Sequence, residues 1–295
     1  MAYENLLENF VQVSDALAVG VSEAFVAKSV GLGLVKSEPN TNGIQVKKWR
    51  KKGYLTAAAL AEGTSHTYDA NSELTDTSIT TTLAKKHIPT VHTVEELEFG
   101  GDLSGLGRFE DEHGMALGRL FDSELKALFT ALTNTAGGTG ALTEDHIFDA
   151  RYNIESSSQG AFSGQLVAMV SYKQMNYLRN ALKDSAASAF VSQVPLGAIL
   201  GLPQSNGYSG SFAGVDFFQT SGIPTDSDQD WGAVWDPANC FCALVHEKPT
   251  SNMLRWVGAG DGTRGYAHEL ASWTYWDIKE LNDTAGCALG SAVTA

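Results

Sequence analysis

At 295 residues and 43% hydrophobic composition, the chain can bury one large core or two modest ones and lies far from disordered sequences. Its 34 acids against 20 bases leave a formal charge of −14, which argues against tight, sequence-independent binding to nucleic acid, because such binding depends on basic side chains displacing counterions from phosphates. No stretch approaches the roughly 20 apolar residues of a membrane span, and the opening MAYENLLENFVQV lacks the basic flank and unbroken apolar run of a secretory signal.

Residues 1–43 read as an arm. A weak helical stretch from Glu4 to Phe10 leads into small and polar residues, then Gly31 and Gly33, then Pro39-Asn40-Thr41-Asn42-Gly43, a strong turn signal. Two β-prone runs follow, Ile44 to Trp49 and Thr77 to Leu83, with the small and polar segment Leu60 to Asp76 between them. They predict a long hairpin with neither face consistently apolar. Such a hairpin is marginal alone in water, so it is expected to lie on a larger sheet or to reach over a neighbouring subunit.

Within the first run, Lys47, Lys48, Arg50, Lys51 and Lys52 surround Trp49: five bases in six positions of an acidic protein. A solvated loop, contact with nucleic acid and pairing with an acidic patch on another subunit all remain open. For the last, candidate partners stand in Glu95, Glu96, Glu98, Asp102, Glu110, Asp111 and Glu112.

The best helical pattern in the chain comes next. Leu106, Phe109, Leu117, Leu120, Phe121, Leu125, Leu128, Phe129 and Leu132 recur mostly at three- and four-residue steps. The pattern predicts a helix from Gly105 to Thr133, ~44 Å long, stopped by Gly137-Gly138-Thr139-Gly140. Gly107, Gly114 and Gly118 fall near one face, a costly choice inside a helix unless another backbone approaches closely. A second helix is expected from the cap Thr143 through Ile147, Ala150, Tyr152 and Ile154. A buried strand, Gln165 to Val170, and a third helix carrying Tyr172, Met175, Leu178 and Leu182 follow. From Ser185 to Val215 there are 31 residues without a charge, as befits a core or an uncharged contact surface. The section from Phe241 to Leu289 alternates β-like runs with glycine-rich turns. Helices mixed with non-alternating strands predict an α+β fold.

Sites of chemistry are hard to find. Gly260-Asp-Gly262-Thr-Arg-Gly265 matches a dinucleotide fingerprint, but β-like sequence follows it where a helix is required. Asp226-Ser-Asp228-Gln-Asp230 begins like a calcium loop, yet Trp231 and Pro237 occupy the glycine and glutamate positions. Cys240 and Cys242 are too close for zinc-finger spacing, and with Cys287 they make an odd set of three, read as buried structural cysteines. His87 and His92 flank Ile88-Pro89 and cannot share a helical face. No catalytic, cofactor or metal-binding residue is singled out, and a soluble enzyme would need a set that spacing does not reveal.

Three stretches and the order of parts point to a family: QLVAMVSYKQMNYLRN (Gln165 to Asn180), SFAGVDFFQTSGIP (Ser211 to Pro224) and ELNDTAGCALG (Glu280 to Gly290). Together they resemble the Hong Kong 97 fold of tailed-phage major capsid proteins. The resemblance implies an N-terminal arm at 1–43, an extended β-hairpin loop at 44–98, and a peripheral domain with the long spine helix at 99–144. It further implies an axial domain at 145–242, then a return to the peripheral domain and a C-terminal tail at 243–295. The implied function is structural: copies assemble as hexamers and pentamers of an icosahedral shell that encloses phage double-stranded DNA without binding it specifically. An encapsulin-type nanocompartment shell is the alternative. Implied partners are other copies, a separate scaffolding protein (no long N-terminal scaffold segment is seen), a portal and a decoration protein, with no membrane. The implied location is the virion, after assembly in the host bacterial cytoplasm. The lysine–asparagine cross-link of some relatives has no residue-by-residue match here.

Overall fold

The computed structural model describes residues 18–40, 43, 45–51, 78–93, 104–157, 164–184, 207–246, 250–257 and 267–293. Helices and mostly antiparallel strands mix as the α+β reading expects. The weak helical stretch Glu4 to Phe10, the linker Leu60 to Asp76 and residues 185–206 of the charge-free run lie outside the described residues.

A helix over 18–28 (α1) crosses the long helix Ser104–Lys126 (α2) at close range. Glycine on α2 permits the approach. A Cβ on Gly114 would stand 2.3 Å from the Ala24 Cβ and 2.8 Å from the Phe25 nitrogen, and one on Gly118 would stand 3.1 Å from the Ser29 nitrogen. Asp122 comes one further turn along the same stripe. Its carboxylate accepts hydrogen bonds from Ser29 Oγ (2.8 Å), Gly31 N (2.8 Å) and Val30 N (3.0 Å). Burial pushes this carboxyl above its usual range, against the pull of those three donors and of nearby Lys126.

The helix ends earlier than its sequence pattern suggests, at Lys126 instead of Thr133. The apolar periodicity continues because burial continues: Phe129 still enters the core on a 3₁₀ turn, Phe129–Ala131, and Leu132 does so from the extended residue that follows it. Thr133 N then donates to Asp283 Oδ1 at 2.7 Å, which fixes the exit. The change of course sends Thr135–Gly137 (β5) into a sheet.

Three sheets form. The first contains β1 (Lys36–Asn40), β4 (Ala84–Thr93), β11 (Phe241–His246), β12 (Thr250–Val257) and β13 (Ala267–Glu280). β13 is its hub: β4 pairs along one edge, while β12 and then β11 share the other. β1 lies parallel to β11 beyond it. The second sheet has the order β5, β14 (Gly286–Ala292), β10 (Gln229–Trp235), β6 (Leu166–Ser171), β8 (Val215–Thr220), β7 (Tyr208–Phe212), with β9 (Thr225–Asp226) turned onto β10. The third is the hairpin β2 (Val46–Arg50) and β3 (Ser78–Thr82).

One core joins α1, α2 and both larger sheets. Val167, Met169, Ala233, Trp235 and Phe218 of the second sheet share it with Phe241, Ala243, Val245, Trp276 and Ile278 of the first. At its centre the Phe25 ring stacks on Trp276 (5.7 Å, 12°), and Phe121 meets the same indole edge-on (5.7 Å, 68°). The two fully buried indoles have their N–H groups satisfied: Trp276 Nε1 donates to Glu124 Oε2 (2.7 Å) and Trp235 Nε1 to the Leu34 carbonyl (2.8 Å). Buried His113 shares hydrogen bonds with Thr90 Oγ1 (3.1 Å) and Ser272 Oγ (2.7 Å), tying α2 to β4 and β13.

The far face of the second sheet carries Leu166, Ala168, Val170, Val215, Val234 and Leu289, covered by helices α3 (Glu144–Ser157) and α4 (Tyr172–Asp184). Burial on both faces explains why β6 reads as an unbroken apolar run. Thr143 precedes α3 as expected, and His146 reaches back to its backbone, Thr143 N donating to His146 Nδ1 at 3.2 Å. Ile147, Ala150 and Ile154 face the sheet, but Tyr152 does not. Five residues beyond Ile147, it is rotated about 140° around a 3.6-residue helix and stands in solvent. Tyr172 is likewise exposed at the start of α4, ahead of buried Met175, Leu178 and Leu182. Gln174, fully buried, stitches this layer together. Its Nε2 donates to the carbonyls of Asp230 and Leu289 (both 3.0 Å), and its Oε1 accepts from Ser171 N (3.0 Å).

Two outcomes are expected. Gly114→Ala should lower stability in urea by about 1–3 kcal/mol, the backbone clash outweighing the ~1 kcal/mol that alanine gains over glycine in a helix. Gly118→Ala, with looser contacts, should stay within about 1 kcal/mol of wild type; equal effects of the two would remove the glycine contact as the cause.

The three free cysteines are buried. Burial first, then nearby carboxylates, pushes Cys240 well up, and burial carries Cys242 and Cys287 to about 12. At pH 8 such a thiol is ionised only to ~10⁻⁴. Ellman's reagent should therefore leave the native protein unmodified while titrating all three cysteines after denaturation. A fast-reacting thiol in the native protein would contradict this packing.

Candidate assembly surface

The hairpin β2–β3 carries the basic cluster, and strand alternation divides that cluster in two. Val46, Lys48 and Arg50 stand exposed on one face, opposite Thr82, Thr80 and Ser78. Lys47 and Trp49 take the other. Trp49 is only 3% exposed. It packs with Cys242, Leu244 and Leu281, flanked by Ile79 and Leu83, and its Nε1 donates to Thr81 Oγ1 at 2.9 Å. The hairpin therefore does have a core-facing side, contrary to the sequence expectation. Surrounding bases hid it, because a lone tryptophan at every-second-residue spacing among lysines does not look like an apolar face.

Lys47 is bound into its own protomer. Its ammonium lies 4.4 Å from the Trp49 ring centroid and pairs with the Glu38 carboxylate of β1. Partial burial, then repulsion from Lys36, pushes this ammonium below its usual range. Lys51, half-buried, lies close enough to Glu280 to draw its carboxyl down, although burial and Asp283 raise it on balance. At the hairpin's far strand, Thr82 N donates to Asp277 Oδ2 at 2.8 Å. Lys48 and Arg50 are thus the described bases on the outward face, while Lys52, Glu95, Glu96, Glu98 and Asp102 lie outside the described residues.

Asp111 and Glu112 stand exposed on early α2, and Glu110 beside them is half-buried. The Glu110 side chain lies against Gly20 of α1. Burial raises its carboxyl, as do Asp111 and Glu23. Glu23 is thus a further member of this acidic group, and nothing in the sequence spacing could have brought it in, since it comes from the other helix.

The remaining sequence motifs resolve into structure. Asp226 to Asp230 is the β9–β10 hairpin, with Ser227 and Asp228 at φ of 53° and 61°, as a two-residue turn of this kind requires. Asp230 accepts from Thr225 Oγ1 (3.0 Å) and Ser171 Oγ (3.1 Å). Gly260 to Gly265 lies outside the described residues, but the strands on either side of it, β12 and β13, pair antiparallel with Val257 opposite Ala267, and no dinucleotide-type helix follows. Among the described residues, no group of three or more histidines, cysteines or acids is placed to hold a metal. No helix among them is long and apolar enough to cross a membrane. A cavity of about 160 Å³ between α1 and β1, lined by Phe25, Val26, Leu32, Pro39 and Val245 among others, is below the usual volume of a substrate site.

No protein-family model matches the sequence, and no curated protein matches it. Solved structures do. The capsid of Ralstonia phage GP4 is similar with a TM-score of 0.63 at 12% identity, over 89% of this chain and 88% of that one. A structure from Mycobacterium phage Che8 is similar with a TM-score of 0.61 at 15% identity, over 89% and 91%. The virus-like particle from Pyrococcus furiosus is similar with a TM-score of 0.57 at 14% identity, over 96% and 99%. At such identities the likeness is one of fold, over 89% of the chain: this protein has the Hong Kong 97-like fold of tailed-phage capsid proteins.

Proposed function

We propose that the chain is the major capsid protein of a tailed bacteriophage, a non-enzymatic subunit that assembles with its own copies into hexamers and pentamers of an icosahedral shell around double-stranded DNA. The observation that supports this most is likeness across nearly the whole of both chains to a phage capsid, 89% of this one and 88% of that from Ralstonia phage GP4. On this reading 1–43 is the N-terminal arm, 44–98 the extended loop, 99–144 and 243–295 the peripheral domain, and 145–242 the axial domain. The shell would be located in the virion and assembled in the host cytoplasm with separate scaffolding, portal and decoration proteins. A chain charge of −14 suits a wall that contains DNA without gripping it.

Contacts between copies in such a shell bury on the order of 2,000–5,000 Å², and one exposed ion pair contributes only ~0–1 kcal/mol. Apolar burial then supplies most of the affinity and charge sets the register. The basic hairpin face is assigned to that second role, held against an acidic surface of the next copy. Glu110, Asp111 and Glu112 are candidates there, with Glu95, Glu96 and Glu98 beyond the described residues; Lys51 and Lys52 extend the base side, and Lys47 steadies the hairpin from within.

A second reading has one observation behind it: the Pyrococcus furiosus virus-like particle matches 96% of this chain and 99% of its own. The same fold could build an encapsulin-type compartment around a protein cargo. The contents of purified particles decide between the two.

Purified protein is expected as closed particles hundreds of ångströms across in negative stain, with nucleic acid inside when isolated from infected cells. A monodisperse monomer or dimer by light scattering, with the fold intact, removes the shell reading, and a protein cargo without nucleic acid selects the second. Separately, the double substitution Lys48→Glu/Arg50→Glu should leave circular dichroism native while preventing closed shells. Trp49→Ala should act differently, lowering stability by about 3 kcal/mol through loss of the buried ring. Normal shells from the charge-reversed protein would return the cluster to a solvated loop.

A further inference from the structure

The outward face of α3 is out of character for a solvated helix surface. Asp145, Phe148, Asp149 and Tyr152 are all exposed and fall at i, i+3, i+4 and i+7, so they form one stripe opposite buried Ile147, Ala150 and Ile154. Phe148 is 50% exposed and Tyr152 69%. Single exposed aromatics are ordinary, but two aromatics one turn apart, alternating with two carboxylates, have the makeup of a contact surface, where large rings sit beside charge. The Phe148 ring is also held in place, edge-on to Phe212 at 5.5 Å. Arg151, the base on this helix, is turned aside: its Nε donates to Glu155 Oε1 (2.7 Å) and its Nη1 to the Ala213 carbonyl (2.6 Å). The stripe therefore keeps a negative charge.

Resting on the shell reading above, we propose that this α3 stripe, in place of the candidates Glu110, Asp111 and Glu112, receives the outward hairpin face of a second copy of the chain, Val46, Lys48 and Arg50. Three features of the two surfaces match. Their charges are opposite, which matters between copies that each carry −14 and repel elsewhere. Both combine charge with apolar area, Val46 being 48% exposed, and a Lys or Arg laid over an exposed ring adds a cation–π contact. Their spacings agree as well: alternate strand residues lie ~6.6–6.8 Å apart, and helix residues four apart lie ~6 Å apart along the axis.

The contact must run between copies. Trp49 fastens the hairpin onto Cys242 and Leu244 of the first sheet, whereas α3 covers the far face of the second. Two different patches meeting head to tail are what a ring or shell needs.

Assembly yield of five purified variants beside wild type tests the proposal. Phe148→Ser/Tyr152→Ser, Lys48→Glu/Arg50→Glu and Asp145→Lys/Asp149→Lys should each keep native circular dichroism and lose at least ten-fold in the fraction of subunits sedimenting as particles. The combined charge swap, Lys48→Glu/Arg50→Glu with Asp145→Lys/Asp149→Lys, should restore particles. Wild-type yield from Phe148→Ser/Tyr152→Ser overturns the inference. So does failure of the swap, or rescue of Lys48→Glu/Arg50→Glu by Glu110→Lys/Asp111→Lys/Glu112→Lys instead. Wild-type subunits that form no particles overturn the shell reading itself, and this inference with it.

Discussion

The carboxylate of Asp122, buried on the long helix and accepting three donors from residues 29–31, fixes where the N-terminal segment joins the fold. Much of the rest depends on that point. β1 pairs with β11 in parallel, and a parallel neighbour cannot have its register set by a tight turn; it has to be positioned by what anchors the chain before it. Pinning Ser29 to Gly31 supplies that anchor, and the Leu34 carbonyl, bonded to the Trp235 indole, extends it into the second sheet. One turn beyond Asp122, Lys126 Nζ donates to the Ser221 carbonyl at 2.5 Å. Adjacent turns of a single helix thus hold the arm segment, the first sheet and the second. The glycine track at Gly114 and Gly118 exists to let the arm come close enough for the Asp122 bonds to form.

On the proposed shell reading, splitting the basic cluster by strand alternation bears on assembly. A projecting hairpin would be a costly binding element if it were ordered only on contact, since each immobilised residue loses conformational freedom. Trp49 and Lys47 order its root beforehand, through the ring's burial on Cys242 and Leu244 and the pairing with Glu38. Lys48 and Arg50 are then presented on a surface that the protomer's own core has already made rigid. The same economy holds on α3, where the Phe148 ring is oriented by Phe212.

Much of the fold was legible in the sequence because burial leaves periodic traces. The long helix, the run Leu166 to Val170, the cap at Thr143 and the β-like runs around 241–289 all follow from local patterning. So did the meaning of Gly114 and Gly118, since glycine in a helix interior is unfavourable unless a backbone comes near. The misreadings share one cause. Periodicity reports that residues are buried, without saying in which conformation or against what. Phe129 and Leu132 are as buried as a helical continuation would make them, yet they sit on a turn and the extended residue after it, which lead into β5. Tyr152 and Tyr172 are apolar enough to be counted with buried faces, and both stand in solvent.

The candidate surface was half legible. Composition located five bases at 47–52 and an excess of acids, because charge is countable residue by residue. Which bases face outward was decided only in three dimensions, when Trp49 found its site on the first sheet and turned Lys47 inward toward Glu38. The joining of Glu23 to Glu110, and of Phe148 to Phe212, likewise depended on contacts between residues far apart in the chain. Element type, order and net charge are local properties that the sequence by itself determined. Face, exposure and partnership were decided by tertiary packing, because they depend on which distant side chains compete for the same buried space.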